Sequence, residues 1–270
     1  MADLQTCLLT PGRIQPQLPL FVFLPGMDGT GQLLRLQTDG LQAGFDVRCL
    51  ALSPTRLPSW EELAAETVEL IEQELQQRGD RPVYLCGESF GGCLALKIAL
   101  TRPKFLTRLI LVNPASSFRQ RQWLGWSRNI TSLLPPPLYR LSAIALLPWL
   151  AALERMTDTE RQALLHAVQS VPQKTSIWRL ALLNEFTVDP TELRQITLPT
   201  LLIAGEMDRL LPSVAEVQRL AQALPQAQVL HLAHSGHACL LEHDINLHDL
   251  LQQQQFGPTS LCLENAIAPR

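Results

Sequence analysis

The chain has 270 residues, 46% of them hydrophobic, and a net charge of −3. That supplies one large core and no basic excess for nucleic acid, so a nucleic-acid enzyme is excluded as an expectation. The segment Met1 to Thr6 lacks a basic, then apolar, leader pattern, and no apolar run reaches the ~20 residues of a membrane span. The expected location is therefore the cytoplasm, with the surface of a membrane as the alternative.

Of the six cysteines, Cys7, Cys49, Cys86, Cys93, Cys239 and Cys262, none forms a C-x-x-C pair. Cys49, Cys86 and Cys93 lie in or beside apolar runs and read as buried, reduced thiols. The six histidines lack metal-ligand spacing, so no metal and no cofactor is expected.

In chain order, the first strong strand is Leu18 to Leu24, ending in the glycine-rich loop Pro25-Gly26-Met27-Asp28-Gly29-Thr30-Gly31. Gln32 to Leu41 has helical spacing, and Phe45 to Leu52 reads as the next strand. Ser59-Trp60-Glu61-Glu62 is a capping box opening a long helix through Leu63, Val68, Leu70, Ile71 and Leu75, with Gly79 as its stop. A buried strand, Pro82 to Cys86, runs into Gly87-Glu88-Ser89-Phe90-Gly91-Gly92 and a helix through Leu100. Leu109 to Asn113 follows as a strand. From Ala115 to Ile196 the rhythm breaks: four tryptophans (Trp123, Trp126, Trp149, Trp178), a Pro135-Pro136-Pro137 run, and a helix Thr157 to Val171 opened by a second capping box. The strand pattern resumes at Thr200 to Ala204 and Gln228 to Ala233. Strands alternating with helices predict an α/β fold with a mostly parallel sheet, and the G-x-S-x-G turn from Gly87 to Gly91 narrows it to the α/β-hydrolase type. Its core is expected over 1–114 and 197–256, with a helical lid over 115–196 and a frayed tail over 257–270.

Gly87-Glu88-Ser89-Phe90-Gly91 matches G-x-S-x-G between an apolar strand and a helix, the context that makes the serine a nucleophile. The glycines allow a sharp turn, and the helix starting there favours a negative oxygen. Oxyanion donors are expected from the backbone N–H of Phe90 and of Met27, the latter in the loop after the first strong strand. That loop lacks the Lys-Ser/Thr ending of a P-loop and the dinucleotide G-x-G-x-x-G pattern. Asp28 is either a substrate contact or a brace for the loop, with the brace favoured. His237, after Gly236, is the expected base. His231 falls in a strand, His166 in the insertion, and His243 and His248 on a closing helix; His234 is its near competitor. Asp208, in the turn after Thr200 to Ala204, is the expected acid, with Glu206 as competitor; Asn113, where some relatives place the acid, lacks a carboxylate.

These segments, together with Asn113-Pro114-Ala115-Ser116-Ser117-Phe118, Met207-Asp208-Arg209-Leu210-Leu211-Pro212-Ser213 and Gly236-His237-Ala238-Cys239-Leu240-Leu241-Glu242, are similar to the hydrolase half of plant and cyanobacterial phytyl ester synthases. The resemblance runs from about Leu18 to Leu250 and implies acyl chemistry on long-chain lipids. Those synthases carry a second half with an H-x-x-x-x-D motif, and no histidine here has an Asp five residues on. The expected activity is hydrolysis of a small-molecule acyl ester or thioester, lipidic because the insertion is rich in Trp and Leu. The alternatives are transfer of a fatty acyl group to phytol or diacylglycerol, and a non-catalytic binding protein on the same scaffold. The uncharged run Leu141 to Leu153 is a candidate for contact with a membrane surface.

Overall fold

The computed structural model describes residues 5–121, 124 and 126–258. Trp123, Cys262 and most of the expected tail lie outside the described residues. Seven strands form one sheet: β1 (Cys7–Leu9), β2 (Leu20–Leu24), β3 (Asp46–Ala51), β4 (Val83–Glu88), β5 (Leu106–Val112), β6 (Thr200–Gly205) and β7 (Ala227–Leu232). Their spatial order is β1-β3-β2-β4-β5-β6-β7. All neighbouring pairs are parallel except β1 with β3. The edge strand β1 has only three residues, too few for a period-2 pattern to emerge from sequence.

Successive side chains of a strand point to opposite faces, and β2 divides accordingly. Leu20, Val22 and Leu24 pack with helices α2 (Trp60–Arg78) and α3 (Phe90–Leu100) on one face. Phe21 and Phe23 pack on the other with α1 (Arg35–Leu41). A sheet covered on both faces needs largely apolar strands, which is why Leu20–Leu24 of β2, Val83–Cys86 of β4 and Leu201–Ala204 of β6 read as unbroken hydrophobic runs. The Ser59 capping box is complete: its side chain accepts the Glu62 N–H, and Glu62 accepts the Ser59 N–H. The second box is one-sided. Thr157 accepts the Glu160 N–H, but Glu160 turns to Arg35, 3.4 Å away.

Between β5 and β6 the described residues form helices and turns and no strand: α4 (Ser127–Leu133), α5 (Pro136–Ala145), α6 (Leu147–Leu150), α7 (Asp158–Ser170), α8 (Gln173–Glu185) and α9 (Pro190–Leu193). Trp60 ties this segment to the sheet layer. Its ring stacks on Phe90 at 4.7 Å and its Nε1–H donates to the Leu182 carbonyl at 2.9 Å. Two further helices follow among the described residues, α10 (Ser213–Ala223) and α11 (Leu247–Gln253). His248 is on α11, whereas His243 lies in the turn before it, its ring bonded to the Arg155 carbonyl at 2.6 Å. That contact and the following turn keep it off the helix.

At the amino ends of the strands, buried Arg48 forms a bidentate pair with Asp46 and reaches Glu74 on α2. This network lies opposite the strand ends that carry Ser89, Asp208 and His237. Among the described residues, no helix is long and apolar enough to cross a membrane.

Candidate active site

Met27, Ser89, Asp208 and His237 sit in loops or turns at the carboxyl ends of strands, and Phe90 opens α3 there, where open α/β sheets bind their ligands. Ser89 follows β4 and caps α3 with φ 53° and ψ −113°, a conformation that strains any non-glycine residue. Neighbours over-determine it. Its N–H donates to Val112 at 3.0 Å, and its carbonyl accepts from Gly92 at 2.9 Å and Ala115 at 3.0 Å. The tight turn brings α3 against β2: a Cβ on Gly91 would lie 2.1 Å from the Leu24 carbonyl oxygen.

His237, buried after β7, places Nε2 2.8 Å from Ser89 Oγ. Its Nδ1 lies 2.7 Å from Asp208 Oδ2. With a carboxylate at Nδ1, that nitrogen carries the proton and Nε2 accepts from the serine hydroxyl. Asp208 is fixed in turn by the N–H groups of Leu210 (2.9 Å) and Leu211 (3.0 Å) and by the Ser213 hydroxyl. The competitors are elsewhere. Glu206 is exposed and 3.8 Å from His231, while His166 and His234 are exposed.

Burial alone would push the His237 imidazole down, but Asp208 and then Glu88 hold it above its ordinary value. Burial likewise opposes the Asp208 charge; His237 and the hydrogen bonds from Ser213 and Leu211 overcome it and hold the carboxyl low. Glu88, the residue before the serine, is pushed by burial up to about 7, and its Oε1 has no hydrogen-bond partner among the described residues.

The loop after β2 comes alongside. A Cβ on Gly26 would lie 3.7 Å from Ser89 Cβ, which puts Met27 next to the serine. Asp28 Oδ2 accepts the Thr30 N–H at 2.8 Å and the Thr30 hydroxyl, the bracing arrangement of an Asx turn. The N–H of Phe90 belongs to the first turn of α3, where no intrahelical acceptor exists.

Three supporting residues escape sequence reading. The Asn113 side chain donates to the Gly236 and His237 carbonyls (3.1 and 2.7 Å) and accepts the Gly205 N–H at 2.8 Å. One amide thus joins the histidine loop to the strand that leads into Asp208. Arg179, on α8, is buried and donates to the Met27 carbonyl at 2.6 Å. Its guanidinium occupies the space a Cβ on Gly29 would fill, and burial lowers it to about 10. Buried Glu242 accepts the Gly236 N–H and the Arg155 Nε–H, each at 2.7 Å.

Ser89 and His237 open onto a cavity of about 230 Å³. Its walls are mainly apolar, including Leu33, Leu124, Leu150, Leu164, Val168 and Leu180. Among the described residues no group of His, Cys, Asp and Glu is placed to hold a metal ion. Cys49, Cys86, Cys93 and Cys239 are buried and unbridged, and Cys7 is exposed; burial pushes the Cys49 thiol up to about 12.

A family model described as serine aminopeptidase, S33 matches residues 43–244. Phytyl ester synthase 1 of Arabidopsis thaliana, a chloroplastic protein, is 32% identical over 87% of this chain, which spans 37% of that protein's length. RutD of Stutzerimonas stutzeri, provisionally named a carbamate hydrolase, is 32% identical over 84% of this chain and 88% of its own. The solved structure of MenH from S. aureus superposes with a TM-score of 0.73 at 16% identity, covering 94% of this chain and all of that one.

Proposed function

The chain belongs to the serine aminopeptidase S33 family of α/β-hydrolases, and from that premise we propose that it is a serine esterase cleaving a lipidic acyl ester through Ser89, His237 and Asp208. The observation that carries this reading is the Ser89 Oγ···His237 Nε2 contact in the wall of a mainly apolar cavity. As the serine oxygen attacks the acyl carbonyl, His237 takes its proton, and Asp208 holds the ring and stabilises the imidazolium. The N–H groups of Met27 and Phe90 are the donors for the oxyanion. His237 then protonates the leaving alcohol, and water repeats the sequence to free the acid.

The helices of residues 115–196 serve as a lid over a core of 1–114 and 197–256. Apolar walls suit an acyl chain better than a polar carbamate, since pockets match the polarity of what they bury. Its outer surface is the candidate contact with a lipid phase. The likeness to the plant synthase keeps a second reading in view, in which an alcohol replaces water at the acyl-enzyme.

A series of p-nitrophenyl esters from acetyl to palmitoyl tests the proposal. Each methylene that enters the cavity adds about 0.8 kcal/mol, or about fourfold in kcat/KM, until the cavity is filled. Wild type is expected to climb in that way beyond acetyl and Ser89→Ala to be inactive throughout. Activity confined to acetyl ester would overturn the lipidic substrate and leave the nucleophile in place. Free acid as the sole product with phytol present would remove the transfer reading.

A further inference from the structure

Helices α4 and α5 carry their polarity inside out. Ser127 and Thr131 on α4, and Tyr139 and Ser142 on α5, line the cavity, the Ser127, Tyr139 and Ser142 hydroxyls donating to main-chain carbonyls. On the same two helices Ile130, Leu133, Leu138, Leu141 and Ile144 are 41% to 82% exposed, and Trp126 just before them is 68% exposed. A surface helix whose outer face meets only water shows the opposite arrangement. Isolated exposed leucines are ordinary, but an apolar row at helical spacing is not. Pro136, Pro137, Leu141 and Ile144 also share a shallow outer groove with Arg140 and Gln169.

Charge narrows the choice of what covers this face. No Asp or Glu occurs between Glu88 and Glu154, although the whole chain is at −3. Arg128 and Arg140 are exposed on these two helices, and Arg140 shares the outer groove with Leu141 and Ile144. Apolar side chains interspersed with arginines match the boundary of an anionic lipid layer, where acyl chains lie beneath phosphates.

We infer that the outer face of α4 and α5 docks on an anionic lipid surface. The leucines, isoleucines and Trp126 enter the interfacial zone, while the arginines keep their heads at the phosphates. The cavity lies on the other side of the same two helices, so a lipidic ester has only their thickness to cross. That purpose rests on the lipid-ester reading; the docking itself is measured independently of it.

The experiment is flotation of the full chain with phosphatidylcholine vesicles, with and without phosphatidylglycerol, at low and high salt. Wild type is expected to float with the anionic vesicles about tenfold more than with neutral ones, and less at high salt. The variant combining Leu133→Ser, Leu141→Ser and Ile144→Ser is expected to lose this binding about tenfold, while turnover of a soluble short ester stays within about twofold. Should that variant fail to fold, Arg128→Glu with Arg140→Glu is expected to abolish the preference for anionic vesicles. Failure of active wild type to float overturns the inference. So does undiminished flotation of the apolar variant, or a homodimer that the same substitutions dissociate. Flotation without long-chain ester turnover supports the docking surface and counts against the substrate reading alone.

The candidate membrane run expected from sequence, Leu141 to Leu153, overlaps this face at Leu141 and Ile144. Its later part, Leu147, Ala151 and Leu153, packs inward with Leu33, Met156 and Leu164.

Discussion

The side-chain amide of Asn113 donates to the main-chain carbonyl of His237 at 2.7 Å, from a backbone held at φ 42° just after β5. Because the same side chain also accepts from Gly205 and donates to Gly236, it fixes the distance between the loops that bring His237 to Asp208. Asn113→Asp would set a carboxylate oxygen against two carbonyl oxygens. The expected result is a loss of about 2–3 kcal/mol in stability and a fall in kcat of about 10- to 100-fold with little change in KM. Thermal unfolding and steady-state kinetics on a soluble ester check both.

Arg179 bears on the other side of the site. Its bond to the Met27 carbonyl sets the plane of the peptide group that follows Met27 and the position of the loop beside Ser89. Arg179→Met is expected to lower kcat about 10- to 100-fold, approaching the loss of an oxyanion donor. Arg179→Lys, which can still reach one carbonyl, is expected to recover part of that loss. A change confined to KM would assign Arg179 to substrate binding instead.

Glu88 gives a prediction in pH. In the proposed mechanism His237 acts as a base only when neutral, so activity is expected to fall as pH drops through its raised value. Ionised Glu88 is one of the groups that raise it, and Glu88 itself is pushed up to about 7, so the two titrate as a coupled pair. Glu88→Gln removes the negative charge, lowers the His237 value and moves the acid limb of the kcat/KM profile to lower pH. An acid limb that stays in place, or moves up, would show that Glu88 does not act on His237.

Much of this architecture is legible in the chain because local signals and tertiary packing agree. The run from Pro82 into Gly87-Glu88-Ser89 announces a buried strand meeting a tight turn, and β4 and α3 lie where that pattern points. Both capping boxes mark real helix starts, although Glu160 of the second is drawn away by Arg35. Asn113, Arg179 and Glu242 were not legible in their structural roles. In sequence, Asn113 is only a place without a carboxylate, and Arg179 is one of many surface-type residues on a helix. Their partners lie far along the chain, 152 residues away for the Arg179 to Met27 bond, and no local periodicity encodes such pairings. The inverted polarity of α4 and α5 depends on which side of each helix meets the cavity, which spacing alone leaves open.

Whether Ser89 is an activated nucleophile is tested most directly by intact mass and peptide mapping after exposure to a fluorophosphonate. The account predicts one adduct per chain, on the peptide containing Ser89, absent in Ser89→Ala and strongly slowed in His237→Ala. No adduct on folded wild type, or an equal adduct on Ser89→Ala, would contradict it.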